Sequence, residues 1–356
     1  MKSILLASAS VVAFAGAAAG EVTFGGSATL GYNDTDAAST SGDDKGFYWD
    51  LGFDLFFSTK LNDDLEVGAE IGIDLADGDL GISDLDAGGL VLFIRSSTSA
   101  LYFGDTATAQ DTHWVSAGSM SADSFSANDG GTVIRGDVTF GPGEASVSYF
   151  ITAEELEQLG VGATGTFGNF EVAIAYQEEG SCADCGGDFV ANSVLGVSAG
   201  TTFAGFTVRL AYAMKTGIGA EEDTDSIGIE ASYPIGPITA TVYYVMESDE
   251  NNAYGVNVAY ESDLFAVTVN FEDTTDGDED WSIDGSFDID LGNFPVRALV
   301  GVSDAGEDFY VGAEIPVGDD LDILVTYAED GDSDSGDEIG DPEYKEGMTA
   351  EISMNF

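Results

Sequence analysis

The chain has 356 residues, 66 of them Asp or Glu and only 9 Lys or Arg, for a net charge of −57. Charge of that sign and size excludes nucleic acid and anionic membrane surfaces as partners, because like charges repel. A disordered chain is excluded as well, since 44% of the residues are hydrophobic and they are arranged in faces rather than scattered.

Residues 1–20 have the three regions of a cleaved export signal. Lys2 is followed by an apolar run from Ile4 to Phe14 and then by small residues from Ala15 to Gly20, with cleavage expected just before Gly20 or Glu21. The run is too short for a spanning helix, which needs about 20 residues, and later apolar runs such as Leu90 to Ile94 are far shorter. Any membrane location therefore requires strands. Residues 21–356 contain no linker or compositional break and are read as one domain.

From Glu21 onward the strand-like segments alternate. Val22, Phe24, Ala28, Leu30 and Tyr32 share one parity, as do Trp49, Leu51, Phe53, Leu55 and Phe57, then Leu65, Val67, Ala69, Ile71, Ile73 and Leu75. The pattern reaches the last residue through Met348, Ala350, Ile352, Met354 and Phe356. Successive strand side chains point to opposite faces, so each strand has an apolar face and a charged one. Repeated in every strand, this predicts an all-β fold: a transmembrane antiparallel β-barrel with lipid outside and water inside.

Nine clusters of Gly, Pro, Asn and Asp have hairpin length: 60–64, 96–99, 141–143, 168–169, 204–205, 234–237, 261–263, 292–293 and 318–320. Between them lie ten longer polar stretches: 33–45, 76–88, 106–131, 152–160, 178–192, 216–225, 247–252, 273–280, 304–308 and 329–346. Short turns at one end and long loops at the other predict 20 strands of about ten residues, the length that crosses a bilayer at a tilt. One or two false hairpins would lower the count to 18 or 16. Phe140, Phe167, Phe170, Phe203, Phe206, Tyr233, Tyr260, Phe265 and Phe294 flank the short turns, as an aromatic girdle at headgroup level requires.

Arg95, Arg135, Arg209, Arg297 and Lys215 all alternate with apolar neighbours and so fall on the lumen parity. An arginine on the other face would cost about 2–4 kcal/mol at the bilayer midplane. They are either pore-lining cations or partners of wall carboxylates, and the latter are more numerous: Asp50, Asp54, Glu66, Glu70, Glu230, Asp284, Asp288, Glu314 and Glu351 share their parity.

Several segments resemble the general diffusion porins of Gram-negative outer membranes, especially the alphaproteobacterial type. Glu21-Val-Thr-Phe-Gly-Gly-Ser-Ala-Thr-Leu-Gly-Tyr32 resembles their first strand, and Lys60-Leu-Asn-Asp-Asp-Leu-Glu-Val-Gly-Ala69 their first turn and third strand. Leu101-Tyr-Phe-Gly-Asp105 resembles their fifth strand, Phe167-Gly-Asn-Phe-Glu-Val172 a later turn, and Phe356 the terminal aromatic. The resemblance implies an outer-membrane location, contact with outer-membrane lipid, and passive diffusion of small hydrophilic solutes and ions. It also implies 16 strands, a homotrimer, and a loop after the fifth strand that folds into the barrel. Here that loop is 106–131, carrying Asp111, Asp123 and Asp129 with Asp105 at its base. Facing basic wall residues, it would set a transverse field at a constriction. The excess of lumen carboxylates predicts a moderate preference for cations.

Other motifs carry less. Cys182 and Cys185 lie in a polar loop and in an exported protein are candidates for a disulfide. No cofactor is expected, although Asp276 and Asp278, and Asp330, Asp332 and Asp334, lie in acidic loops that are weak calcium candidates, lacking the spacing of a helix-flanked calcium loop. His113, the only histidine, has no partner constellation for catalysis, so no enzyme is expected.

Overall fold

The structure, a computed structural model, describes residues 20–34, 46–76, 89–125, 131–151, 156–178, 191–217, 223–248, 251–274, 279–292, 295–303, 308–318, 320–329 and 344–356. Twenty strands follow in order: β1 (Glu21–Asn33), β2 (Phe47–Lys60), β3 (Glu66–Ala76), β4 (Leu90–Arg95), β5 (Ser99–Gly104), β6 (Val133–Phe140), β7 (Gly143–Ile151), β8 (Leu156–Phe167), β9 (Phe170–Glu178) and β10 (Ala191–Phe203). The second half comprises β11 (Phe206–Gly217), β12 (Thr224–Ile235), β13 (Ile238–Glu247), β14 (Ala253–Glu261), β15 (Phe265–Asp273), β16 (Glu279–Asp290), β17 (Pro295–Ser303), β18 (Phe309–Pro316), β19 (Leu321–Glu329) and β20 (Gly347–Asn355). One helical turn, α1 (Ala109–His113), lies between β5 and β6.

Each strand pairs antiparallel with its sequence neighbours, and β1 pairs with β20, so the sheet closes without an edge. Closure removes every unpaired strand, which is the condition for a sheet to sit in hydrocarbon. The count of 20 read from the turns is the count observed, and the 16 strands implied by the resemblance do not hold. The seven short turns that lie wholly within the described residues fall where their residues placed them. Ala204 and Gly205, both at positive φ (53° and 82°), join β10 and β11 in the two-residue hairpin that matches strand twist.

The apolar parity faces outward along the wall. Phe24, Leu30, Val138, Ile174, Leu210 and Val300 are exposed, and in an aqueous protein such a surface would be unsustainable. Phe140, Phe167, Phe170, Phe203, Phe206, Tyr233 and Phe265 ring the short-turn end on this outer face. Tyr260 stacks on Phe265 with ring centroids 4.9 Å apart. Phe294 lies outside the described residues.

Two expectations about boundaries are corrected. Residues 156–160 belong to β8 rather than to a loop, because a bulge absorbs the polar run: the register shifts between Ser148 and Phe150, opposite Gln158 at φ 50°. β4 and β5 have only six residues each, short of the expected ten. The chain leaves the wall at Gly104 (φ 127°), where a side chain would collide with the carbonyl of Leu90, and turns inward.

Candidate functional site: the pore lumen

Residues 105–125 lie inside the barrel against its inner wall. The segment begins at Asp105, whose backbone N–H donates to the Leu90 carbonyl at 3.0 Å. The backbone N–H of Ala109 donates to Ser148 Oγ of β7 at 2.8 Å, and Gln110 Nε2 donates to Gln177 Oε1 of β9 at 3.3 Å. The His113 ring sits between Ser146 Oγ (2.7 Å from Nε2) and Thr164 Oγ1 (3.2 Å from Nδ1). Farther along, Ser119 hydrogen-bonds to Glu272 of β15. The Ser121 N–H and hydroxyl both donate to the Glu247 carboxylate of β13 (3.0 and 2.9 Å), and the Ala122 N–H donates to Ser226 Oγ of β12 at 2.9 Å. The loop thus crosses the wall from β7 to β15 and turns back, and its tip packs Ala117, Met120 and Ala122 on Ala211, Ala213, Val245 and Ala253.

Glycine makes room for this path, a signal that charge and parity do not carry. Gly160 and Gly162 of β8, Gly196 of β10 and Gly228 of β12 are all on the lumen parity. A Cβ on Gly162 would lie 2.8 Å from His113 Cβ, one on Gly196 would meet the Trp114 ring, and one on Gly228 would need the space of the Ala117 carbonyl oxygen. The track lets the loop backbone reach the wall hydrogen-bond groups directly.

Burial sets the titration of the loop. Desolvation lowers the His113 pKa, with nearby Arg135 acting in the same sense and Glu144 and Asp137 opposing it. Burial raises that of Asp123, opposed by the hydrogen bond from Trp114 Nε1 at 2.9 Å.

The four arginines stand on the lumen face, each beside a carboxylate. Arg95 donates to Glu66 at 2.9 Å and lies over the Phe93 ring. Arg135 donates to Asp137 at 3.0 Å, to the Ala107 carbonyl at 2.7 Å and to Thr112 Oγ1 at 3.0 Å, while covering the Tyr102 ring. It is therefore a buried brace beneath the loop. Arg209 is 3.5 Å from Glu171 and borders a cavity of about 400 Å³ beneath the loop. Arg297, on the opposite wall, is 3.1 Å from Asp288 and 3.8 Å from Glu314. Lys215 is half-buried on β11. Asp111, in the first turn of α1, is exposed, and Asp123 is turned back into the loop. The lumen face is less uniformly polar than its charges suggest: Phe56, Phe93 and Tyr102 form a run of ring contacts at 5.6 and 6.4 Å on it.

Asp129, Cys182, Cys185, Asp276, Asp278, Asp330, Asp332 and Asp334 lie outside the described residues. Among the described residues no group of three or more metal-ligating side chains is assembled.

A closed antiparallel barrel, apolar outside and charged inside, with a loop folded into its lumen, is a transmembrane pore. The sequence model of the Gram-negative porin family matches residues 7–281, and the chain belongs to that family. It is an outer-membrane channel for passive diffusion and not an enzyme. Solved structures agree in fold. A variant of Rhodobacter blastica porin superposes with a TM-score of 0.53 at 17% identity, covering 74% of this chain and 98% of that one. The outer membrane protein OpdK from Pseudomonas aeruginosa superposes with a TM-score of 0.50 at 11% identity, covering 94% and 98%. No curated protein matches the sequence.

Proposed function

We propose that the channel passes small hydrophilic solutes with a moderate preference for cations, and that the loop 105–125 is its constriction. The observation that carries this reading is the pairing of all four arginines with wall carboxylates. A paired arginine contributes little net potential, so the remaining lumen carboxylates, among them Asp50, Asp54, Glu70 and Glu230, set the sign of the field. Asp111, exposed on the inward loop, adds to it at the narrowest section. Asp105, at the base of the loop, acts in the same direction.

Reversal potentials across a KCl gradient test the reading. A cation-selective potential is expected, weakening as salt rises from 0.1 to 1 M and the screening length shrinks from about 10 Å to about 3 Å. Anion selectivity would show that Arg297 and Lys215 control the narrow section and would refute it. The mature chain is proposed to start at Gly20 or Glu21 and to assemble as a homotrimer, which N-terminal sequencing and crosslinking of the purified protein check.

A further inference from the structure

Leu299 of β17 and Leu324 of β19 sit on the water side of the wall, where the alternation calls for polar residues. Both are half-buried and pack against Tyr310, Ala328 and Tyr344. Tyr344 precedes β20, is itself buried, and its ring centroid lies 4.6 Å from that of Tyr310. Leu299, Leu324, Tyr310 and Tyr344 line a cavity of about 480 Å³ along the lumen face of β15 to β20. Four carboxylates, Asp284, Glu314, Asp322 and Glu351, also line it, among small and hydroxyl residues such as Thr268, Ser286 and Ser353. Tyr310 donates its hydroxyl to Asp284 at 2.9 Å and Tyr48 donates to Glu351 at 2.7 Å, which fixes both carboxylates. Arg297 is the cavity's one basic lining residue among those described, and it is held by Asp288 and Glu314.

Apolar and acidic side chains interleave along the cavity: Asp284 is in register with Tyr310 through Gly301, and Leu324 is paired with Glu314 on one side and Glu351 on the other. Tyr310 is the second residue of β18, at the long-loop end, and Glu314 lies four residues further along the same face, about 13 Å at the rise of a strand. A solute entering from the loop end meets Tyr310 with Asp284 first, and Leu324 flanked by Glu314 and Glu351 below them. A wall lined only for bulk water has no use for leucines on its lumen face, where contact with water is unfavourable.

We propose that this cavity is a binding site for small organic cations that carry an apolar flank, the ammonium group at Glu314, Asp322 and Glu351 around Leu324 and the hydrocarbon against Leu299, Leu324 and Tyr310. The site rests on the reading of the channel as cation-preferring and adds to it a chemical class of solute held during passage. Covering about 55 Å² of apolar surface is worth roughly ten-fold in affinity, so a ring-bearing cation binds well above a bare one.

Current block of single channels of the full-length, heat-modifiable protein in a planar bilayer tests the site with three probes: phenethylammonium, methylammonium and phenylacetate. Phenethylammonium is expected to block at concentrations about ten-fold lower than methylammonium, and phenylacetate not to block. Leu324→Ser should weaken the phenethylammonium block about five-fold and leave methylammonium unchanged, while Asp322→Asn should weaken both cations. Equal block by the two cations in the native channel, which needs no variant, would overturn the proposal. So would block by phenethylammonium that neither substitution alters. Reversal potentials on the same membranes keep the two readings apart. Cation selectivity without ring-dependent block removes the site alone, whereas ring-dependent block in an anion-selective pore removes the selectivity and leaves the site.

Discussion

Placing a side chain on the track beneath the inward loop is the most direct perturbation of the pore. In Gly228→Val the new Cβ claims the position of the Ala117 carbonyl oxygen, and the carbonyl carbon and the Met120 sulfur are each only 3.1 Å away. The loop backbone must move off the wall by on the order of 1 Å, because interiors at native density have no slack to absorb a methyl group. That displacement breaks the neighbouring anchors: Ala122 to Ser226, and the two bonds from Ser121 to Glu247. At about 0.5–1.5 kcal/mol each, more where the acceptor is charged, the three together are worth about 2–5 kcal/mol. Even 2 kcal/mol raises the undocked population about thirty-fold. The barrel itself is untouched, since β12 keeps its ladders to β11 and β13. Single-channel recording reads the result: lower mean conductance, as the loop is pushed toward the axis, and higher open-channel noise. Gly136→Val on the outer face is the control, because nothing lies within 4 Å of a Cβ there. If Gly228→Val conducts as quietly and as well as the Gly136 variant, the loop is not seated as described.

Val138→Arg, on the outer face, should lower the folded, heat-modifiable fraction by about 2–4 kcal/mol relative to Thr139→Arg on the lumen side; equal yields would contradict the assignment of faces. Removing Phe356 deletes the paired bonds between Phe356 and Gly26, each 3.0 Å, and an edge contact to Phe53 at 5.7 Å, and the folded fraction in an assembly assay should fall. The loop should also loosen in acid. His113 is held with its pKa below the usual 6.5, so its contribution to docking is full above that value and is lost as pH falls toward the lowered one. Asp123, raised by burial, works in the opposite direction, its contribution being present at low pH and lost as pH rises through its folded value. Channel noise should therefore grow as pH falls below about 6.5, and His113→Asn should abolish that pH dependence; an unchanged profile in the variant would assign it elsewhere.

What was legible in the sequence is what local periodicity encodes. Val22 to Tyr32 and Met348 to Phe356 declare a lipid face because a strand repeats every two residues, and a charge on the wrong face costs more than any turn preference can recover. Turns such as Ala204-Gly205 and Gly168-Asn169 set the strand number for the same local reason. The tertiary structure decided what lies next to what across the lumen. Arg135 and Arg297 read alike in sequence, yet one braces the inward loop and the other borders an acidic cavity on the far wall. Ala173, on the lumen parity, is nearly inaccessible at 6% exposure, which parity cannot express. Parity alone does not set Gly162, Gly196 and Gly228 apart from other strand glycines; their use appears only when a segment from residue 105 onward is laid over them. Period-2 patterning specifies which face a residue occupies, and closure of twenty strands into a ring specifies its neighbours, because partners such as Ser121 and Glu247, or Leu299 and Tyr344, are brought together only by the path of the chain around the barrel.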